Sequence, residues 1–445
     1  MREGEAATAV ETPPCPLRIS LFTDNYGPGH SGLLYAVQFL EGELLGHGHE
    51  VQVVAPACQG SSPHQDHPNR TELRLPALRI LPGLPMAIAS GRGFDAALRT
   101  LADDPPDVIH VHGLGPIGLL GMWAADRFSI PLMVTWHTDF EAYADHYGYI
   151  TPFADAFYRA LRAVTNGPTR PAIKDMRRWV TTRWLGRTSI SRRNLLNAAR
   201  DMLEAADLVT TPSDKTALRC AELAPAARIR VVPNGADALP ERPPLPGGHG
   251  PRILYVGRIA PEKNIGLLLQ AFSWVREEFP QAELMVVGDW RTGGRLEQQL
   301  RHARHHGVTL VGQIPRDELQ PYYASADVFA FPSTTDTQAL VLHEAAHAGL
   351  PLVSCDAELR LVLDDGVNGA IARPTPESLA RQLGRVLRTM EDPTLRARAS
   401  ARSREMASWW TIERQSEDIM RLYADLAAGR LIEPRLSATP HLGRT

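Results

Sequence analysis

Two short stretches place charge where the chain is otherwise building an apolar interior. In GRIAPEKN (257–264) a predicted strand ends at Gly257, and Arg258 and Lys263 flank a turn before a predicted helix. Two cations beside helix-start N–H groups make a site for a diphosphate. A surface arginine and a capping lysine are the plainer alternative. In FPSTTDTQALVLHEAAHAGLPLV (331–353), Asp336 and Glu344 stand with seven residues between them. Gly349 and Pro351 are stop signals, so the helix is expected from about Thr337 to Ala348. If residues 336–344 were fully helical, the two acids would lie about 12 Å apart along one side. That separation suits a ribose at one carboxylate and a sugar at the other, with phosphates near the helix start. A carboxylate accepts two hydrogen bonds from a vicinal diol, which makes Glu344 a ribose clamp. A solvated helix face is the alternative, opposed by the apolar Leu340, Val341 and Leu342.

A third loop follows the first predicted strand, LRISLFTD (17–24). Gly27, Pro28 and Gly29 precede Gly32, which opens a helix, and such residues suit close approach of backbone to a polar ligand. No GxGxxG dinucleotide fingerprint is present, which weakens a dehydrogenase. The elements that must carry these loops alternate strand and helix. HEVQVVAP, DVIHVHG (107–113), PLMVTWHTD (131–139) and DLVTTPS (207–213) read as further strands, with GPIGLLGMWAADRF as a helix. After a Pro- and Gly-dense linker at 231–252 the pattern restarts with RILYVGR, AELMVVGD, VTLVGQ, DVFAFPS, LPLVSCD and GAIARP. Alternation of this kind implies parallel sheets covered on both faces. The expected fold class is α/β, two doubly wound Rossmann-like domains facing a central cleft. Ligands bind such sheets beyond the carboxyl ends of the strands.

Bulk properties bound the function. A chain of 445 residues is too long for one ordinary core. Its 47 basic and 50 acidic residues give a net charge of −3 and no global case for nucleic acid. Only three of the basic residues are lysines, Lys174, Lys215 and Lys263. Four scattered cysteines form no metal-binding or disulfide spacing and fit a reducing compartment. No apolar run reaches the roughly 18 to 20 residues that span a bilayer, and 1–15 lack signal-peptide order. A cytoplasmic protein is expected. Residues 156–200 hold 11 basic side chains against one acid, Asp175, with Trp179, Trp184 and Leu185 interleaved. That segment suits an anionic membrane surface at the inner face of the membrane, or an anionic acceptor. A solvated helix pair is the alternative. Residues 1–15 and about 430–445 look untethered.

Taken together, GRIAPEKNIGLLLQAF and FPSTTDTQALVLHEAAHAGLPLV resemble the retaining glycosyltransferases of family 4, with the GT-B fold. That family writes its second motif E-x-F-G-x-x-x-x-E. The likeness extends through FTDNYGPGHSG, DVIHVHG, WHTDFEAY, ADLVTTPSDK and VVPNGAD, and is greatest toward bacterial diacylglycerol glucosyltransferases. The resemblance implies that Arg258 and Lys263 hold a donor diphosphate, Glu344 the ribose, and Asp336 the transferred sugar. It implies that Gly32 offers backbone near the phosphates, that His137 lies near the sugar hydroxyls, and that Gln338, Ala339 and Leu340 contact the donor. No metal or cofactor is implied. The donor would be a UDP- or GDP-sugar and the acceptor a lipid or small molecule. The departures are Asp336 for the usual Glu, Gln338-Ala339 for Phe-Gly, and Gly288-Asp289-Trp290-Arg291 for a G-D-G-P turn. The domains expected are 16–235 for the acceptor, 236–408 for the donor, and a helix over 409–429 crossing back to the first. A disaccharide synthase or sugar phosphorylase, and a degenerate nucleotide-sugar-binding partner protein, remain as alternatives.

Overall fold

The computed structural model describes residues 16–27, 32–57, 62–81, 84–87, 91–113, 115–137, 196–197, 199–248, 250–291 and 294–438. Strands β1 (Arg18–Phe22), β2 (Glu50–Pro56) and β3 (Arg70–Leu75) come first, followed by a hairpin of β4 (Ala77–Leu81) and β5 (Leu84–Ala87). Then come β6 (Val108–Val111), β7 (Leu132–Thr135), β8 (Leu208–Thr211) and β9 (Ile229–Val231). Apart from the hairpin they form one seven-stranded sheet in the order β3-β2-β1-β6-β7-β8-β9, all parallel. The strands β6, β7 and β8 are buried at every position, as a sheet with both faces covered requires. The second sheet is also parallel, β12-β11-β10-β13-β14-β15. Its strands are β10 (Arg252–Val256), β11 (Glu283–Val287), β12 (Val308–Gly312), β13 (Val328–Phe331), β14 (Leu352–Ser354) and β15 (Gly369–Ile371). Two doubly wound α/β domains are therefore present. The sequence patterning had not signalled β3 or the hairpin.

Local chemistry sets the loop positions. The apolar helix Pro116–Phe128 lies so close to the first sheet that a Cβ at Gly118 would sit 1.7 Å from the Gly113 carbonyl oxygen. Its N-terminus is capped by Asp24, whose carboxylate accepts from the N–H groups of Gly115 (3.0 Å), Ile117 (2.8 Å) and Gly118 (3.2 Å). The loop after β1 is fixed by that cap. Its other side is fixed by Tyr26, whose hydroxyl donates to Glu41 on the Gly32–Gly46 helix.

The final helix, Ile412–Ala427, packs Ile419, Leu422, Tyr423 and Leu426 into the core that holds Ile19, Leu21, Leu40 and Leu44 of the first domain. The chain then continues along that domain. Arg435 pairs with β9 through Val231 N to Arg435 O (2.8 Å) and Arg435 N to Ile229 O (2.7 Å). Ser437 Oγ (3.0 Å) and the Ala438 N–H (2.6 Å) donate to Asp214. Residues 430–438 are thus tied down, unlike the free tail expected from their composition, and 439–445 lie outside the described residues. The two interdomain crossings also meet. Ala236 N donates to Trp410 O (2.9 Å) and Gly235 N to Gln415 Oε1 (2.8 Å).

Glu41 and Arg70 form a fully buried ion pair, Nε to Oε1 2.6 Å, which orders the first loop from below. Removing one partner strands the other charge. Arg70→Ala should therefore lower unfolding stability by about 3–5 kcal/mol. A double Arg70→Met/Glu41→Leu change should recover most of that, as read by urea denaturation.

Candidate active site

Loops at the carboxyl ends of both sheets meet across the interdomain cleft. Lys263 ends a turn, Pro261–Lys263, that follows β10. Its Nζ lies 2.5 Å from Asp336 Oδ1, and both side chains are largely buried. Burial by itself would raise the Asp336 pKa. The neighbouring Lys263 charge and hydrogen bond outweigh it and hold the carboxyl below its ordinary value. The second oxygen, Asp336 Oδ2, is buried with no hydrogen bond. The ionised acid therefore keeps unused acceptor capacity at Oδ2. Arg258 is 55% exposed at its side chain and reaches Glu262 Oε1 at 2.7 Å, on the same turn as Lys263.

Glu344 is buried on the helix Leu340–His347. Arg316 Nε donates to its Oε1 (2.7 Å) and the Tyr323 hydroxyl to its Oε2 (2.8 Å). Each oxygen keeps a second lone pair, so a vicinal diol can still be accepted. Burial, then the Glu344 charge, pushes the Tyr323 phenol well above its ordinary value, so it stays a donor. The Arg316 guanidinium lies 5.0 Å from the centre of the ring of Phe39, which the first domain supplies. Neither Arg316 nor Tyr323 was singled out from sequence. IPRDELQPYY carries no motif beyond a strand followed by a short helix.

The helix does not begin at Thr337. Ala339 takes φ +64 and ψ +76 and the helix starts at Leu340. The Thr337 carbonyl, which would otherwise enter the helix, accepts from Ser213 Oγ (2.5 Å) and Thr216 Oγ1 (3.1 Å) of the first domain. Tertiary contact thus overrides the local start signal, and the 12 Å separation derived for a continuous helix does not apply. Alanine adopts the left-handed conformation here, at a cost of roughly 1–2 kcal/mol. Gln338 is buried, its amide used by Asn234 N (2.7 Å), Asn234 O (2.8 Å) and His343 Nε2 (3.2 Å). Leu340 faces the first domain, with its Cδ1 3.9 Å from where a Cβ at Gly32 would lie. His137 ends the described part of β7's loop, its carbonyl accepting from Thr337 Oγ1 (3.1 Å). Its Nε2 meets His112 Nδ1 at 3.1 Å, and the His112 and His110 rings lie 3.8 Å apart. His112 Nε2 is buried and unpartnered. Burial pushes His137 down to about 4 and His110 and His112 well below the ordinary value. A neutral, hydrogen-bonding wall results. Pro28, Gly29 and nearly all of 156–200 lie outside the described residues.

Two parallel-sheet domains, with cations, a buried acid and neutral imidazoles where their loops meet, form a GT-B architecture. Residues 35–238 match the family model described as Glycosyltransferase Family 4, and 250–389 match Glycosyl transferases group 1. The chain belongs to the family 4 glycosyltransferases. It is 27% identical over 372 residues to an alpha-monoglucosyldiacylglycerol synthase of Streptococcus pneumoniae, covering 80% of this chain and 75% of that one. It is 26% identical over 361 residues to a GDP-mannose-dependent alpha-mannosyltransferase of Mycobacterium tuberculosis, covering 77% and 80%. Among solved structures, sucrose-phosphate synthase from Thermosynechococcus elongatus aligns with TM-score 0.64 at 18% identity, over 93% of this chain and all of that one. Anabaena HepE in complex with UDP-glucose aligns with TM-score 0.64 at 16% identity, over 92% and 100%. These two share the fold. No helix among the described residues is long and apolar enough to cross a membrane.

The buried histidines set a pH dependence. His137 at about 4 and His343 at about 3, both lowered by burial, refuse protons that the unfolded chain takes up near 6.5. Stability therefore falls as pH drops from about 6.5, each such histidine contributing up to about 1.4 kcal/mol per pH unit. Asp24, pushed up to about 6 by burial, works in the opposite direction but offsets only one of them. The melting temperature should decline between pH 7 and 5. A flat profile would mean that these rings are charged in the folded state.

Proposed function

We propose that the protein is a retaining, metal-independent hexosyltransferase. It moves a hexose or N-acetylhexosamine from a UDP- or GDP-sugar to a hydroxyl of a lipid or small-molecule acceptor. The observation that carries this reading is the Lys263–Asp336 pair at the carboxyl end of the second sheet, where loops of both domains meet. In the proposed complex the diphosphate bridges Arg258 and Lys263, the ribose binds Glu344 and the hexose reaches Asp336. Gly32 and Leu340 flank the phosphates, and His137 accepts from or donates to sugar hydroxyls. Gln338 and Ala339 contribute by holding the loop that the donor meets. The two cations stabilise the charge that develops as the anomeric bond to the diphosphate breaks. A phosphate oxygen then takes the proton of the acceptor hydroxyl as it bonds to the same face of the anomeric carbon.

Residues 16–235 would take the acceptor and 236–408 the donor, with 409–429 joining them. A lipid acceptor is favoured by the 27% identity with the pneumococcal alpha-monoglucosyldiacylglycerol synthase, and by the basic, tryptophan-bearing segment 156–200. That segment would meet an anionic leaflet at the inner face of the membrane.

Arg258→Ala and Lys263→Ala should each lower turnover by roughly 10²-fold or more, as measured by release of nucleotide diphosphate. Wild-type turnover in either variant removes the catalytic assignment. Activity should survive excess EDTA; loss on chelation, restored by a divalent cation, would replace the proposed charge scheme with a metal-dependent one.

A further inference from the structure

We propose that Lys215 is a positioning residue for glycosyl transfer, coupling contact between the domains to the geometry of the loop that carries Asp336. The inference rests on the function proposed above. Lys215 belongs to the first domain, in the opening turn of the helix Asp214–Leu223, yet its side chain is only 1% exposed. All three of its ammonium protons find acceptors on the second domain. They are Asp356 Oδ2 at 2.5 Å, Thr334 O at 2.8 Å and Asp336 O at 3.0 Å. A fully satisfied ammonium is not available as a phosphate ligand or nucleophile. What it does is fix two peptide planes of the segment between β13 and the Leu340–His347 helix.

The residue type supports the role. The chain uses lysine three times among 47 basic residues, so arginine is its default cation. Two of the three lysines converge on one residue, Lys263 on the Asp336 carboxylate and Lys215 on the Asp336 carbonyl. A compact point charge with three rotatable donors fits a three-acceptor socket, whereas a planar guanidinium does not. Ser213 and Thr216 on the same turn take the next carbonyl, that of Thr337. The loop is therefore shaped only when the first domain is seated on it. In an open cleft Asp356 would face water or neutralise, and the Asp336 carbonyl would be free to rotate.

The test separates positioning from mere stability. Lys215→Met removes the charge and leaves Asp356 unpaired, so it should lower both melting temperature and kcat. Lys215→Met/Asp356→Asn removes the unpaired charge and should restore the melting temperature. The carbonyls of Thr334 and Asp336 still lack their donor, so kcat should stay about 30-fold or more below wild type. The Kd for UDP or GDP should stay within about threefold of wild type. Hydrogen–deuterium exchange over 333–339 should be faster in the double variant than in wild type. Lys215→Arg should not rescue kcat. A double variant with wild-type kcat, or with unchanged exchange over 333–339, overturns the proposal. If the wild-type protein turns over no UDP- or GDP-hexose, the proposed function fails, while the exchange measurement still decides whether Lys215 shapes the loop.

Discussion

The segment from Ser333 to Ala339 cannot take its observed shape from one domain. The carbonyls of Thr334, Asp336 and Thr337 accept hydrogen bonds from Lys215, Ser213 and Thr216 in the first domain. The Asp336 carboxylate is held by Lys263 in the second. Buried polar groups that lose a partner cost about 1–3 kcal/mol each. Parting the domains would therefore leave a row of unsatisfied groups unless water replaced them. The acid proposed to meet the sugar is placed by the contact that also joins the domains, so the geometry of the proposed site and the domain arrangement are one constraint.

Charge is distributed around that segment with economy. Anions that need an orientation have named donors: Glu344 has Arg316 and Tyr323, Asp24 has three backbone N–H groups, and Asp336 has Lys263. The imidazoles of His110, His112 and His137 stay neutral through burial, so they add no cations beside the proposed diphosphate site. Cationic character falls instead to Arg258 and Lys263, on a single turn after β10. Such a division suits a ligand that is anionic at its centre and hydroxyl-rich at both ends.

Much of this was legible in the chain itself. Apolar runs such as RILYV and VIHV announced buried parallel strands because both faces of each sheet are covered. The basic turn at 258–263 and the acids Asp336 and Glu344 stood out by their charge in apolar surroundings, and the structure pairs Lys263 with Asp336. Other features depend on partners far away in sequence and left no local trace. Lys215 meets acceptors 119 to 141 residues on, and Arg316 meets Glu344 28 residues on. The helix start was displaced to Leu340 for the same reason, since contacts from the first domain hold Thr337 outside it. The resemblance implied that Gln338 and Ala339, which stand for a Phe-Gly pair, contact the donor. In the structure Gln338 instead bridges to the interdomain crossing at Asn234, and Ala339 bears the strain that a glycine would avoid.

A crystal structure with an intact UDP- or GDP-hexose tests the central claim most directly. The expected result is a diphosphate within hydrogen-bond distance of Arg258 and Lys263, a ribose on Glu344, and the hexose against Asp336 Oδ2. A nucleotide sugar bound elsewhere, or bound in the cleft with the Lys263–Asp336 pair intact and neither residue touching it, would contradict that claim.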